Sequence, residues 1–169
     1  MPKILLLVDV QRNMLEPPGP VPAAREVSLA LTTLLERART AGAPVVFVRN
    51  NGGEGDPDLP GTPGWELVHD VLPGEHVIDK HSPDAFLGTG LASLLQPAAP
   101  LVVAGMQSEW CVRATALAAL EWGHPVTLVR GAHATYDAGE PAAAVSRRVE
   151  EELAAAGVRI ADLDEVTMS

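Results

Sequence analysis

The sequence contains one cysteine, few aromatic residues and only a short apolar run at its start. A single cysteine excludes an intrachain disulfide, so the cysteine count gives no sign of an oxidising compartment. The first apolar run, Ile4 to Val8, ends at Asp9. It is too short for the hydrophobic core of a secretion signal or for a membrane span. We therefore expect a cytoplasmic protein.

Basic residues are scarce as well. Twelve lysines and arginines stand against 22 aspartates and glutamates, and the formal net charge is −10. A charge of this sign repels phosphate backbones and anionic lipid surfaces, which argues against nucleic acid or a membrane as a partner. The 169 residues suffice for one domain with a proper core but not for two. A single domain over residues 1–169 is the expectation.

Apolar residues form several continuous runs separated by stretches with helical spacing. Continuous rather than alternating runs predict strands that are covered on both faces. Each helical stretch is followed by a glycine, which is a common helix stop. Strands and helices that alternate in this way predict a three-layer α/β/α fold, Rossmann-like, with a mainly parallel central sheet. The predicted strands are Ile4–Val8, Pro44–Val48, His76–Ile78, Leu101–Ala104, Pro125–Val129 and Val158–Ile160, and the predicted helices are Pro22–Ala41, Val112–Trp122 and Pro141–Ala156.

One long segment lacks any periodicity. It runs from Asn50 to Gly64 and is dense in Gly, Pro and Asp. Long structureless segments in compact domains tend to be lids or binding loops, although some are solvated excursions without a role. Both interpretations remain open for this loop.

Several chemically active side chains lie close to the ends of the predicted strands. In open parallel sheets, ligands bind beyond the carboxyl ends of the strands, so these side chains converge on one crevice. A carboxylate, an ammonium and a thiol therefore share that crevice. The residues selected in this way are Asp9, Arg49, Asn50, Asp79, Lys80, the turn from Gly105 to Cys111, and Arg130 to His133.

The lone Cys111 follows a predicted strand and lies at the start of a predicted helix. Backbone N–H groups at a helix N-terminus are unpaired and carry partial positive charge, which lowers the pKa of a thiol and can hold an oxyanion. Cys111 is therefore a candidate nucleophile. The alternative is a buried cysteine that acts as a small hydrophobic residue.

Asp9 and Lys80 supply the partners that such a nucleophile needs. Asp9 can take the thiol proton and return it to a leaving nitrogen, provided that apolar neighbours raise the pKa of its carboxyl. Lys80 can stabilise the thiolate and the carboxylate together. Taken singly, each has an ordinary alternative, since Asp is common in turns and Lys is usually solvated.

Three motifs carry a resemblance to a known family. They are Leu6 to Gln11, Asp79 to Phe86 and Val103 to Thr115, and a looser fourth runs from Gly123 to Val129 with Ala132-His133 following. In this order they resemble the isochorismatase-like cysteine hydrolases, a superfamily that includes nicotinamidases and N-carbamoylsarcosine amidohydrolase. The resemblance covers nearly the whole chain.

The resemblance implies a catalytic triad of Asp9, Lys80 and Cys111. In this family the cysteine attacks a carbonyl carbon, an amine leaves, and water hydrolyses the thioester. The resemblance also places a cis peptide at Met106–Gln107, with the backbone N–H groups of Gln107 and Cys111 as the oxyanion hole. It implies a homodimer or homotetramer. We expect the reaction to need no cofactor.

The segment after the second strand departs from the nicotinamidase pattern. Nicotinamidases carry an Asp-x-His metal motif there, whereas this chain reads Arg49 to Gly53, RNNGG, and has no histidine before His69. We therefore predict no metal site and do not expect nicotinamide as the substrate. The five histidines, at positions 69, 76, 81, 124 and 133, lack metal-ligand spacing and are expected to be structural or solvated.

The expected function is hydrolysis of a small non-peptide amide at its C–N bond through a Cys111 thioester. Alternatives are an isochorismatase-type ether or ester hydrolase, or a non-catalytic member that binds a small metabolite. Five residues are candidates for the substrate pocket, although aromatic side chains in α/β proteins more often belong to the core. They are Gln11, Arg49, Asn50, Phe86 and Trp110.

Overall fold

A six-stranded parallel sheet forms the centre of the protein in the computed structural model, which describes residues 1–169. The strands are β1 (Ile4–Val8), β2 (Val45–Asn50), β3 (His76–Lys80), β4 (Leu101–Met106), β5 (Val126–Ala134) and β6 (Arg159–Asp162). The helices are α1 (Arg12–Leu15), α2 (Ala24–Ala41), α3 (Leu91–Leu94), α4 (Arg113–Glu121) and α5 (Ala142–Ala156). The strand order across the sheet is β3-β2-β1-β4-β5-β6.

Both faces of the sheet are covered. All five residues of β1 are buried, as the continuous apolar run predicts. On one face α2 packs through Val27, Leu31 and Leu34. On the other face α4 and α5 contribute Ala116 and Leu153 to a second core cluster. This confirms the predicted three-layer α/β/α fold. None of the helices combines the length and the apolar character that crossing a membrane requires.

Strands β2, β3 and β5 extend further than the apolar runs predict. Asn50 and Lys80 are the last residues of β2 and β3 rather than the first residues beyond them. In β5 the register shifts, because Val103 pairs with Leu128 whereas Gly105 pairs with His133. The bulge brings the segment after Val129 into the strand, where polar residues interrupt the apolar pattern.

Two kinds of local structure were not predicted. The chain from Ser108 to Val112 forms a single π-helical turn ahead of α4, so Cys111 lies in this turn and not at an α-helix start. Helices α1 and α3 have four residues each. Segments of that length are too short for a helical period to appear in the sequence.

The strand order reverses between β1 and β4. The chain builds β1, β2 and β3 outward in one direction and then returns to the other side of β1. Such a switch point opens a crevice at the carboxyl ends of the two strands. Gly105 pairs with Val8 at this point and has a φ of 125°. A Cβ on Gly105 would lie 2.0 Å from the Val8 carbonyl oxygen, so only glycine fits there.

Candidate active site

A buried lysine connects the ends of four strands. Lys80 ends β3, and its side chain has no exposed surface. Its Nζ lies 3.1 Å from Asp9 Oδ2, 2.9 Å from Asn50 Oδ1 and 3.2 Å from Cys111 Sγ. A fully buried ammonium is rare unless it is paired. Here three partners from β1, β2 and the turn after β4 surround it, and the carboxylate, ammonium and thiol selected from the sequence lie together.

Asp9 leaves β1 in an unusual backbone conformation. Its φ is 52°, in the left-handed region that Asp adopts more readily than most residues. The Asp9 N–H donates to the Val48 carbonyl at 2.8 Å, and the Gln11 N–H donates to the Asp9 carbonyl at 2.9 Å. The turn is thus held on both sides. The carboxylate oxygen Oδ2 contacts Lys80, whereas Oδ1 is buried and has no hydrogen-bond partner.

The Asp9 carboxyl is poised near neutral pH. Burial raises its pKa from the ordinary value to about 6, whereas the positive charge of Lys80 and its contact with Oδ2 lower the pKa. The negative charge of Asp58 raises the pKa further. A carboxyl with a pKa in this range is ionised at pH 7 and still accepts a proton readily.

The Cys111 thiol is protonated in the resting protein. Burial raises its pKa to about 12, and the negative charge of Asp9 adds to this, whereas the positive charge of Lys80 lowers the pKa. The expectation that the turn lowers the thiol pKa is therefore wrong. Desolvation of the sulfur, with a carboxylate beside it, outweighs the partial charges of the turn and the nearby ammonium.

The turn after β4 presents a free backbone donor. The Met106–Gln107 peptide bond is cis. The Gln107 carbonyl accepts hydrogen bonds from the N–H groups of Trp110 and Val112, both at 3.1 Å. The Gln107 N–H itself donates to no protein acceptor. Gln107 and Cys111 both line one cavity.

The cavity at Cys111 has a volume of about 430 Å³. Asp9, Asn50 and Trp110 line it, and Trp110 is 59% exposed. The loop that follows β2 contributes Asp56, Pro57 and Asp58 to the wall, which supports its interpretation as a binding loop. A larger groove of about 560 Å³, lined by His133 and Glu150, contains no thiol. The cavity at Cys111 is thus the one that combines a thiol with the Asp9 carboxyl.

Three of the predicted pocket residues lie elsewhere. Gln11 is buried, and its Nε2 donates to the carbonyls of Asn50 at 3.0 Å and Trp65 at 2.9 Å. Its Oε1 accepts from the Asn50 N–H at 2.9 Å. The Gln11 amide is therefore saturated by the backbone at the end of β2, and it positions Asn50 instead of contacting a substrate.

Arg49 and Phe86 are the other two residues for which the predicted pocket position is wrong. Arg49 forms two hydrogen bonds to Asp79, at 2.7 and 3.0 Å, and lies 3.8 Å from the centre of the Trp65 ring. Phe86 is only 6% exposed and stacks on Trp122, with ring centres 6.0 Å apart. Neither side chain lines the cavity, because each is committed to partners that the sequence did not connect with it.

The isochorismatase domain family matches residues 3–163 of the chain. The chain belongs to the isochorismatase family. This confirms the resemblance carried by the three motifs. A streptothricin hydrolase of Streptomyces noursei is 51% identical over 137 residues, which make up 79% of this chain and 50% of the relative. The chain thus spans about half the length of that curated relative.

Solved structures of the family superpose closely. An isochorismatase from Pseudomonas putida KT2440 gives a TM-score of 0.91 at 29% identity, covering 97% of this chain and 89% of that one. A pyrazinamidase of Pyrococcus horikoshii in complex with zinc gives a TM-score of 0.81 at 28% identity, covering 95% and 98%. At least one structural neighbour of this chain therefore binds zinc.

The residues of this chain do not fit a zinc site. After Arg49 come Asn50 and Asn51, whose amides are weaker zinc ligands than imidazole, thiolate or carboxylate. His69, the first histidine, has its Nε2 3.1 Å from Thr32 Oγ1. No group of three or more His, Cys, Asp or Glu side chains is arranged to hold a metal ion.

A buried polar chain behind the turn was not predicted. Ser108 Oγ lies 2.7 Å from His133 Nδ1 and 3.0 Å from Ser146 Oγ. His133 Nε2 lies 2.8 Å from Glu150 Oε1. These hydrogen-bonded side chains connect the first residue of the π-helical turn to β5 and α5. Ser108 and His133 lie in or beside the family motifs, but nothing in their spacing indicated that they touch.

Asp58 is a second residue that the sequence did not single out. Its Oδ2 accepts a hydrogen bond from Asn50 Nδ2 at 2.7 Å. This bond leaves Asn50 Oδ1 facing Lys80, because the two ends of the amide are then distinguished. The loop thus reaches Lys80 through Asn50. The only signal in the sequence was the density of aspartates between Asn50 and Gly64.

Proposed function

We propose that this protein is a hydrolase that cleaves the C–N bond of a small non-peptide amide through a Cys111 thioester. The proposal rests on one observation: the Lys80 ammonium contacts both the Asp9 carboxylate and the Cys111 sulfur within a buried cluster. A thiol, a base with a pKa of about 6 and a free backbone donor are the parts that acyl transfer requires.

In the first half of the reaction, Cys111 Sγ attacks the amide carbon and its proton passes to Asp9. The carbonyl oxygen becomes an oxyanion, held by the N–H groups of Gln107 and Cys111. When the oxyanion collapses, the C–N bond breaks and the Asp9 proton goes to the departing nitrogen. The products of this half are a free amine or ammonia and a Cys111 thioester.

In the second half, water attacks the thioester carbon and gives a proton to Asp9. The second oxyanion collapses, the C–S bond breaks, and Asp9 returns its proton to the sulfur. The carboxylic acid product leaves, and the thiol and the carboxylate are restored. Lys80 remains protonated throughout and stabilises whichever of Asp9 or Cys111 carries the negative charge.

The high pKa of the resting thiol agrees with this order of reaction steps. A thiol with a pKa of about 12 does not release its proton to solvent at neutral pH. Transfer to Asp9 during attack avoids a free thiolate, because the negative charge moves onward to the carbonyl oxygen. The nucleophile is therefore activated only when a substrate occupies the cavity.

Streptothricin is the first compound to test, since a streptothricin hydrolase is 51% identical to this chain over 137 residues. A panel of primary amides forms the second set. Wild-type protein is incubated with each, and released ammonia and mass changes of the substrate are measured. Acid-quenched protein is weighed intact to detect an acyl adduct on Cys111, with Cys111→Ala as the control.

We expect turnover and an acyl adduct in the wild type and neither in Cys111→Ala, with an unchanged circular dichroism spectrum. Turnover by Cys111→Ala would overturn the thioester mechanism. Cleavage of ester or ether compounds without any amide turnover would favour the isochorismatase-type alternative. Binding of these compounds without any product would favour the non-catalytic alternative.

A further inference from the structure

The cavity at Cys111 has an acidic wall that the amide reaction does not use. The loop after β2 places Asp56 and Asp58 on this wall, close to Asp9 and Asn13. Asp58 is half-buried and Asp56 is exposed. The cavity lining contains three aspartates and one histidine, His81, but no lysine or arginine. On the side of the loop, the negative charge of the cavity wall therefore has no lysine or arginine beside it.

Two acceptor atoms in the same cavity lack a donor. Asp9 Oδ1 and Asn13 Oδ1 are buried and have no hydrogen-bond partner. The whole Asp9 residue is only 1% exposed, so solvent reaches it poorly. Buried acceptors without partners are rare in folded proteins. Together with the aspartates of the loop they give this side of the cavity several acceptors and no protein ammonium or guanidinium.

The protein has no cation of its own to satisfy this wall. Lys80 is enclosed by Asp9, Asn50 and Cys111 and does not line the cavity. The Nδ2 of Asn50 is committed to Asp58. Asp56 Oδ2 accepts only from the Gly53 N–H of its own loop, at 2.8 Å. A positive charge on the wall must therefore come from a bound molecule.

The negative charge of the loop influences the ionisation of Asp9. The negative charge of Asp58 raises the pKa of Asp9, so the two carboxylates interact across the cavity. A cationic group bound at Asp58 would offset that repulsion. Substrate charge and the ionisation of the base are thereby coupled.

We propose that Asp58, assisted by Asp56, binds a protonated amine or guanidinium on the substrate whose amide carbon lies at Cys111. This inference rests on the proposed amidase function and names its substrate class as cationic amides. No arginine or lysine on the cavity wall competes for the two carboxylates, and the half-buried position of Asp58 protects its ion pair from full screening.

The single cysteine permits a test that needs no turnover. Cys111 is treated with cationic 2-(trimethylammonio)ethyl methanethiosulfonate and anionic 2-sulfonatoethyl methanethiosulfonate. Each rate is divided by the rate of neutral methyl methanethiosulfonate, which removes any change in intrinsic thiol reactivity. We expect the cationic reagent to be favoured over the anionic one by about tenfold in the wild type.

Asp58→Asn is the test variant, because its side-chain oxygen still accepts from Asn50 while the charge is gone. The preference for the cationic reagent should fall by about threefold or more. Glu54→Gln is the matched control, since Glu54 lies on the same loop, is exposed and does not line the cavity. An equal loss in both variants, or no loss in Asp58→Asn, would overturn the subsite.

Isosteric amides then test binding of the cationic group itself. A series of ω-amino primary amides, up to 6-aminohexanamide, is compared with neutral partners such as heptanamide, in which a methyl replaces the ammonium. Protection of Cys111 from methyl methanethiosulfonate is measured for each pair. We expect the best cationic amide to protect at a concentration about five- to tenfold lower than its isostere in the wild type, and this advantage to disappear in Asp58→Asn.

Equal protection by every pair in the wild type would overturn the inference. The two proposals fail differently. Amide turnover without any preference for cationic reagents or amides removes the subsite and leaves the amidase. A preference that depends on Asp58, without turnover of any amide, retains the cation-binding wall and removes the amidase.

Discussion

The Lys80 ammonium lies 3.2 Å from the Cys111 sulfur, yet that sulfur retains its proton. The ammonium is shared with Asp9 at 3.1 Å, and burial of the thiol outweighs the remaining attraction. Lys80 therefore does not create a standing thiolate. It lowers the pKa of Asp9, which favours the ionised carboxylate near neutral pH. In the proposed mechanism it also offers a positive charge at the moment when the sulfur loses its proton.

The pKa of Asp9 predicts an acid limb in the rate profile. Asp9 must be ionised to accept the thiol proton, and its pKa is raised to about 6. Activity should therefore fall as the pH decreases through about 6, approaching about tenfold per pH unit below it. The measurement is kcat/KM against pH with an amide that does not itself titrate in this range.

Asp58→Asn provides an internal check on that limb. The charge of Asp58 raises the pKa of Asp9, so its removal should move the acid limb to lower pH. A rate that stays constant from about pH 7 to about pH 5 would show that Asp9 is not the base, since the proton-accepting form would then not matter.

Alkylation by iodoacetamide should separate the effects of Asp9 and Lys80 on the thiol. Asp9→Asn should lower the pKa of Cys111, because the negative charge of Asp9 raises it. Lys80→Met should raise the pKa, because Lys80 stabilises the thiolate. The rate is followed against pH by intact mass, and the unfolded protein, with a thiol pKa of about 8.5, serves as the reference. A wild-type rate that levels off below about pH 7.5 would contradict the protonated resting thiol.

Gly105→Ala should destabilise the protein by about 3 kcal/mol or more, because the added Cβ meets a backbone carbonyl that cannot move without separating β1 from β4. Gly123→Ala is the control, since Gly123 also has a positive φ but no atom within 4 Å of an added Cβ. It should lose only about 1 kcal/mol. Urea denaturation measures both, and equal losses would refute the role assigned to strand contact.

Ser108→Ala should weaken the turn that carries the nucleophile. The substitution leaves His133 Nδ1 buried without its partner at 2.7 Å, which should lower the free energy of unfolding by about 1–3 kcal/mol. Ser146→Ala, which removes only the outer contact at 3.0 Å, should have a smaller effect. Urea denaturation of both variants tests the order. A larger loss in Ser146→Ala would mean that His133 does not depend on Ser108.

Much of the fold could be predicted because both faces of the sheet are covered. The five buried residues of β1 leave a continuous apolar run in the sequence, and so do the central strands β2 and β4. The carboxyl ends of parallel strands lie at one edge, so the residues near those ends could be grouped in advance. The structure brings Asp9 and Cys111 within hydrogen-bonding range of the Lys80 ammonium.

Side-chain direction at those ends could not be predicted. Arg49 and Asn50 follow one another in β2 and pair across to Asp79 and Lys80. Successive side chains on a strand point to opposite faces, so only one of the two reaches the cavity. The apolar run of β2 ends before both residues, so it does not indicate which of the two side chains points into the cavity. The partner of Phe86 is likewise remote in sequence, since Trp122 meets it only through the tertiary fold.

Strand β3 lies at the edge of the sheet, so the part of the site that it carries can open locally before the rest of the protein unfolds. β3 pairs only with β2, and Lys80 is its one fully buried residue. Edge strands open locally at a smaller free-energy cost than central ones. When β3 detaches, the ammonium departs while Asp9 and Cys111 stay on β1 and beyond β4. Inactivation in urea should therefore precede loss of the far-UV signal, because the chemistry ends with the release of one strand and not with the unfolding of the domain.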